Sequence, residues 1–184
     1  MEIKRILSFF AVALVIMLNS CKKDEALSPI ASSARLIRLE GITYDLDESF
    51  ILNLGESSFY QGTKYRFYAA TEGIEFIYDS NGLPADALGK GYTCFIDFYA
   101  PSDSFINAGT YCLEPTNGAN LFTISDGGAL SYGLATALQY QFLSGSLELS
   151  KNNEISTLVG SFRDTNGRKV TVYFQGKLQV IDAK

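Results

Sequence analysis

From residue 35 to its end, this 184-residue chain predicts an all-β, antiparallel domain, with a β-sandwich as the first architecture and a small barrel as the alternative. Three observations carry that prediction. Apolar and polar residues alternate with a period of two through many short segments, and glycine-, asparagine- and aspartate-containing turns separate those segments. No stretch of useful length keeps the period of about 3.6 residues that an amphipathic helix requires. The segments number on the order of ten, within the range of either architecture. Their uneven lengths and frequent glycines favour the sandwich.

The elements follow in order. Residues 35–40 and 42–46 flank Gly41, and residues 50–54 stop at Gly55. Residues 64–70 and 73–78 are expected to face each other across Thr71-Glu72 as a compact hairpin, with Gly73 free to take a positive φ. Residues 80–91, SNGLPADALGKG, carry three glycines and a proline and read as the first substantial loop. Residues 92–99 put Tyr92, Cys94, Ile96 and Phe98 on one face and Thr93, Phe95, Asp97 and Tyr99 on the other. Both faces are largely apolar, which predicts a central strand covered on both sides. Residues 110–113 and 120–125 are shorter strands, and Asp126-Gly127-Gly128 reads as a turn.

The last third is the most regular. Residues 138–149, 155–162 and 169–180 are strands linked by Lys151-Asn152-Asn153 and by Asp164-Thr165-Asn166-Gly167. Asn-Gly between alternating apolar residues is a strong hairpin signal, because both central residues of the preferred turn need positive φ. Gly145 interrupts the alternation of Tyr140, Phe142, Leu147 and Leu149 and marks an expected bulge.

Ahead of the β domain, Lys4 and Arg5 precede an apolar run at residues 6–18, followed by Leu18-Asn19-Ser20-Cys21. As a helix, that run would be about 20 Å long, short of the roughly 30 Å hydrocarbon core, so it reads as the core of an export signal. Leu18-Asn19-Ser20-Cys21 resembles the lipobox of bacterial lipoproteins, and that resemblance implies cleavage before Cys21 and acylation of its sulfur and new amino terminus. Multiple acyl chains anchor stably where one would be marginal, each buried CH2 adding about 0.8 kcal/mol. Lys22-Lys23-Asp24-Glu25 resembles the surface-export signal of Bacteroidota lipoproteins, which implies the outer leaflet of the outer membrane. The expected organisation is a signal peptide over residues 1–20, a lipidated Cys21 with its tether over 21–34, and one β domain over 35–184. Extended, residues 22–34 reach about 45 Å. The closing segment, SGSLELSKNNEISTLVGSFRDTNGRKVTVYFQGKL, is also similar to the C-terminal part of small Bacteroidota lipoproteins of unassigned function. What it shares with them is hairpin chemistry, which bears on fold and not on activity.

Composition narrows the function. Without residues 1–20, 13 basic residues face 19 acidic ones, a net charge of −6. Nucleic acid is therefore not an expected partner, since phosphate binding needs a basic surface. The chain has no histidine and no tryptophan, which removes the commonest general base, the commonest metal ligand and the best sugar-stacking ring. No phosphate loop, nucleophile elbow, zinc spacing or calcium loop is legible, and no cofactor is expected. Asp79-Ser80-Asn81-Gly82 and Asp164-Thr165-Asn166-Gly167 come nearest to cation loops, and each is explained as a turn. Carboxylate pairs for glycoside cleavage, Asp45 with Asp47 or Asp86 with Asp97, have no spacing that sets their separation, so no catalytic residue is assigned. Cys94 and Cys112 are candidates for a disulfide if their segments pair as neighbours; otherwise they are small buried hydrophobes.

The aromatic load is the remaining signal: 11 tyrosines and 13 phenylalanines, with Tyr60, Tyr65, Phe67, Tyr68 and Tyr78 crowded together. Tyr60, Tyr68 and Tyr99 are the candidate binding residues, since exposed tyrosines stack on sugars and donate a hydrogen bond. The expectation is a lipid-anchored, outward-facing, non-enzymatic module that binds a glycan or a surface protein. The alternatives are a lipocalin-like barrel carrying a small apolar ligand and a structural envelope component.

Overall fold

The computed structural model describes residues 35–57, 61–101, 106–113, 123–132 and 138–183. Cys21 with its leader and tether, and Tyr60, lie outside them. The strands are β1 (Leu36–Leu39), β2 (Ile42–Glu56), β3 (Thr63–Thr71), β4 (Ile74–Tyr78), β5 (Pro84–Gly89), β6 (Tyr92–Ala100), β7 (Gly109–Leu113), β8 (Thr123–Tyr132), β9 (Leu138–Asn152), β10 (Ile155–Asp164), β11 (Lys169–Gly176) and β12 (Gln179–Asp182).

The fold is all-β, as the alternation predicts. One sheet runs β1-β11-β10-β9-β7-β8-β6-β3-β2-β12, and β1 also pairs with β2 and β8 with β9. Leu36 therefore stands opposite Tyr173 on one side and Asp45 on the other, and the ladder returns on itself through β1. All pairings are antiparallel except two short ones, β7 with β8 and β12 with β2. The ring has the closure of a barrel, while its opposite walls meet as the sheets of a sandwich do: Phe67 on β3 reaches Phe174 on β11 at 6.3 Å between ring centroids. Two 15-residue strands, β2 and β9, bend round this ring with the help of register shifts near Asp47, Gly55 and Leu143.

Inward-facing residues form one continuous core. Ile37, Ile51, Phe67, Ile96, Phe98, Leu147, Leu158 and Val172 are fully buried within it. A second, smaller core lies outside the ring, where Ile74 and Phe76 of the β4–β5 hairpin cover Phe50, Leu52 and Ala70. Alternation explains the division: Ile51 and Phe67 point into the ring, while Phe50, Leu52 and Tyr68 point out under the hairpin.

The turns carry most of the sequence expectations through. Glu40 and Gly41 take φ of 50° and 84° and close β1 on β2, the geometry that favours glycine at the second position. Asp164 closes the β10–β11 turn by accepting from the backbone N–H groups of Asn166 and Arg168, both at 2.9 Å, and by pairing with Arg168 Nη2 at 2.7 Å. Burial alone would raise its carboxyl pKa, but Arg168 and the two amides hold it below the usual carboxylate range. With the folded value depressed, Asp164 contributes stability above about pH 3.9, lost as pH falls through the folded value. Asp164→Ala is expected to cost about 2–3 kcal/mol at pH 7 and to flatten the fall in stability below about pH 4, read by denaturant titration across pH.

Five local expectations are corrected. Residues 64–70 and 73–78 do not form a hairpin, because both edges of β3 are occupied, by β2 and by β6. The chain instead leaves the ring at Glu72-Gly73, and β4 pairs with β5. Residues 80–91 are therefore not a loop. Asp79 reverses the chain by accepting from the amides of Asn81 at 2.8 Å and Leu83 at 2.9 Å, and Pro84–Gly89 returns as β5. Asp126-Gly127-Gly128 is not a turn but lies inside β8, in a bulge between the pairs Ile96↔Gly128 and Phe98↔Ile124. Residues 169–180 break at Lys177-Leu178, where the chain crosses to pair β12 with β2.

The fifth concerns the cysteines. Cys94 is a free, fully buried thiol, so it is not bridged to Cys112. Their strands are not neighbours, since β8 lies between β6 and β7, and Cys112 is level with Thr123 while Cys94 is level with Leu130. Burial pushes the Cys94 thiol pKa well above its ordinary value. Iodoacetamide trapping is expected to leave Cys94 unmodified in the folded protein and to label it after unfolding; a Cys94–Cys112 peptide in a non-reducing map would refute this placement.

Candidate functional site

The outer face of β3 and β6 collects the chemistry. Alternation places Lys64, Arg66 and Tyr68 outward on β3, and the register sets them opposite Tyr99, Asp97 and Phe95 of β6. Arg66 grips Asp97 with both arms, Nε to Oδ1 at 2.5 Å and Nη2 to Oδ2 at 2.8 Å, and its Nη1 donates to the Tyr68 hydroxyl at 3.2 Å. Lys64 Nζ approaches Asp97 Oδ2 at 2.9 Å. The guanidinium lies over two adjacent rings, 5.0 Å from the centroid of Phe95 and 5.7 Å from that of Tyr68.

Burial is graded across this cluster. The Asp97 side chain is 3% exposed, against 24% for Lys64 and 31% for Arg66, so a buried anion sits beneath two partly exposed cations. The hydrogen bond to Asp97 is the main cause that raises the Arg66 pKa. For Lys64, burial works to lower the pKa, and the hydrogen bond and charge of Asp97 outweigh it. Both side chains are thus held in their charged forms.

Tyr68 joins this charged cluster to an aromatic one. Its ring lies 5.4 Å from Phe50, 6.0 Å from Phe76 and 6.4 Å from Phe95. Tyr78, 40% exposed at the end of β4, lies 6.2 Å from Phe50 and donates its hydroxyl proton to Glu48 Oε1. Burial first, and then Glu48, raise the Tyr78 pKa. Tyr68 and Tyr78 therefore form a tyrosine ledge on a rigid sheet, with Arg66 and Lys64 at one end.

Of the binding residues expected from the sequence, Tyr68 is at this site and Tyr60 lies outside the described residues. Tyr99 is at the site but only 2% exposed, so it does not offer a stacking face; β6 is covered on both sides, as its two apolar faces foretell. Lys64, Arg66 and Phe95 are not legible in the chain as site residues. Their alternation is visible there, but which strand lies opposite is not. The candidate carboxylate pairs do not assemble: Asp97 is buried beneath Lys64 and Arg66, Asp86 is exposed on the separate β4–β5 sheet, and Asp45 and Asp47 are exposed on β2.

A second concavity, an open groove of about 170 Å³, lies at one end of the ring beside Leu149, Lys151, Leu178 and Val180. Ligand pockets usually enclose about 300–1,000 Å³. The described interior is occupied by its own side chains, with Tyr65 stacked on Phe98 at 5.7 Å and Phe142 on Phe162 at 4.4 Å. The chain matches no protein-family model, no curated protein and no solved structure.

Proposed function

We propose that this chain is a lipoprotein, acylated at Cys21 and facing outward from the bacterial outer membrane, whose β domain is a non-enzymatic module that binds glycan through the outer face of β3 and β6. The observation that carries the binding reading is the aromatic ledge on the outer face of a sheet whose other face is a filled core, where Tyr78 is exposed and Tyr68 is half-buried with part of its ring open. Rings held in place lose little entropy on stacking against a sugar, and Arg66 fixes the Tyr68 hydroxyl. The filled interior weighs against a carrier of an internal apolar ligand.

Affinity electrophoresis of the mature protein through gels containing a panel of host and plant polysaccharides tests the binding reading. Retardation by at least one glycan is expected, with a loss of tenfold or more in Tyr68→Ala and an unchanged folded spectrum. Absence of retardation throughout the panel overturns it. The anchor is tested separately: palmitate labelling is expected in the native chain and absent in Cys21→Ala. Absence of label from the native chain would overturn the anchor.

A further inference from the structure

We infer that the glycan this face takes is an acidic one, a polysaccharide carrying carboxylates along its chain, with Lys64 and Arg66 as the charge contacts and Tyr68 as the stacking ring. The inference rests on the glycan-binding reading and deepens it.

Charge gives the first argument. Among the side chains described there, Lys64 and Arg66 carry +2 against the −1 of Asp97, so that group is net positive in a chain whose overall charge is −5. The bidentate fork of Arg66 already neutralises Asp97, and Lys64 adds a second cation that the buried carboxylate does not require. Glu48, the acid at the other end of the ledge, is bound to Tyr78 and lies four residues along β2 from the level of Arg66, about 13 Å away. On the neighbouring strand, Asp126 occupies the β8 bulge at the level of Asp97.

Hydrogen-bond chemistry gives the second. An ammonium has three N–H donors and a guanidinium five. Lys64 directs one contact to Asp97, and Arg66 directs two to Asp97 and one to Tyr68. Among the described residues, two N–H groups on each cation are left for a ligand. The acceptors are already engaged: both Asp97 oxygens and the Tyr68 oxygen receive from these cations. The cluster thus offers donors, and the matching ligand brings acceptors. Carboxylate is the strongest such acceptor on a sugar, and its planar oxygens suit a guanidinium.

Calorimetric titration of the acylated mature protein in non-ionic detergent distinguishes the outcomes. The probes are oligogalacturonate, oligoalginate and hyaluronan oligomers, each beside its methyl ester, which keeps the sugar rings and removes the charge. At least one acid form is expected to bind tenfold or more tighter than its ester and to weaken with added salt. Lys64→Gln should reduce that affinity at least fivefold and narrow the preference for acid over ester. Equal affinity for acid and ester, with both lost in Tyr68→Ala, would overturn the acidic ligand and leave the glycan module standing. No binding of any acid form, with retardation by a neutral polysaccharide in the gel panel, would likewise overturn the acidic ligand alone. No binding in either experiment overturns both readings.

Discussion

Gly145→Val is expected to prevent the ring from closing, with a loss of more than about 4 kcal/mol, and Gly145→Ala to cost about 3 kcal/mol or more. Gly145 lies on β9 opposite Phe162 of β10, with φ of +140°, a region L-residues rarely adopt. A Cβ there would stand 2.2 Å from the Ser161 carbonyl oxygen and 2.8 Å from the Phe162 Cα. Both obstacles are backbone, so no rotamer change relieves them. The consequence spreads because Phe162 stacks on Phe142 at 4.4 Å with its ring 3° from parallel, and both rings belong to the main core. Equilibrium denaturation of the two variants checks this. A cost below about 1 kcal/mol for Gly145→Ala would mean that β9 and β10 are not in this register.

Asp97→Ala is expected to cost about 2–3 kcal/mol and to abolish binding at the tyrosine ledge. Removing one partner of a buried ion pair costs about 3–5 kcal/mol because it strands a charge, and the partial exposure of Lys64 and Arg66 reduces that here. Without its acceptor, Arg66 is no longer held over Phe95 and Tyr68, and Tyr68 loses the group that orients its hydroxyl. The double variant Arg66→Met with Asp97→Leu should recover most of the stability, because an apolar pair of similar volume replaces a desolvated ionic one. It should not recover binding. A thermodynamic cycle by denaturant titration, read beside the glycan titration, separates the two roles; a cost below about 0.5 kcal/mol for Asp97→Ala would show that the cluster is solvated and not structural.

Together these variants show where local rules reach and where they stop. The alternation in residues 92–99 identifies a strand covered on both faces, and β6 is that strand. Gly41 and Gly167, with φ of 84° and 75°, mark two hairpin turns, although Asn166 does not take the positive φ expected of it, because Asp164 draws the amides of Asn166 and Arg168 into its own turn. These features depend on side-chain period and on backbone sterics within a turn, and both are written in neighbouring residues.

Pairing depends on more than neighbours. Residues 64–70 and 73–78 have the look of a hairpin, and only the occupation of both edges of β3 sends the second segment outward to the β4–β5 sheet. The glycines at 127–128 look like a turn and become a bulge, because β8 must stay in register with β6 on either side of them. Cys94 and Cys112 look bridgeable until β8 is placed between their strands. The candidate site belongs to the same class. Lys64, Arg66 and Tyr68 share a face by local alternation, but Asp97 and Phe95 join them only through the pairing of β3 with β6 across the intervening β4–β5 excursion. The period of two and the turn residues determine where strands lie and which way side chains point. Which strands become neighbours is decided by closing a ring around one filled core, a condition that involves every strand at once.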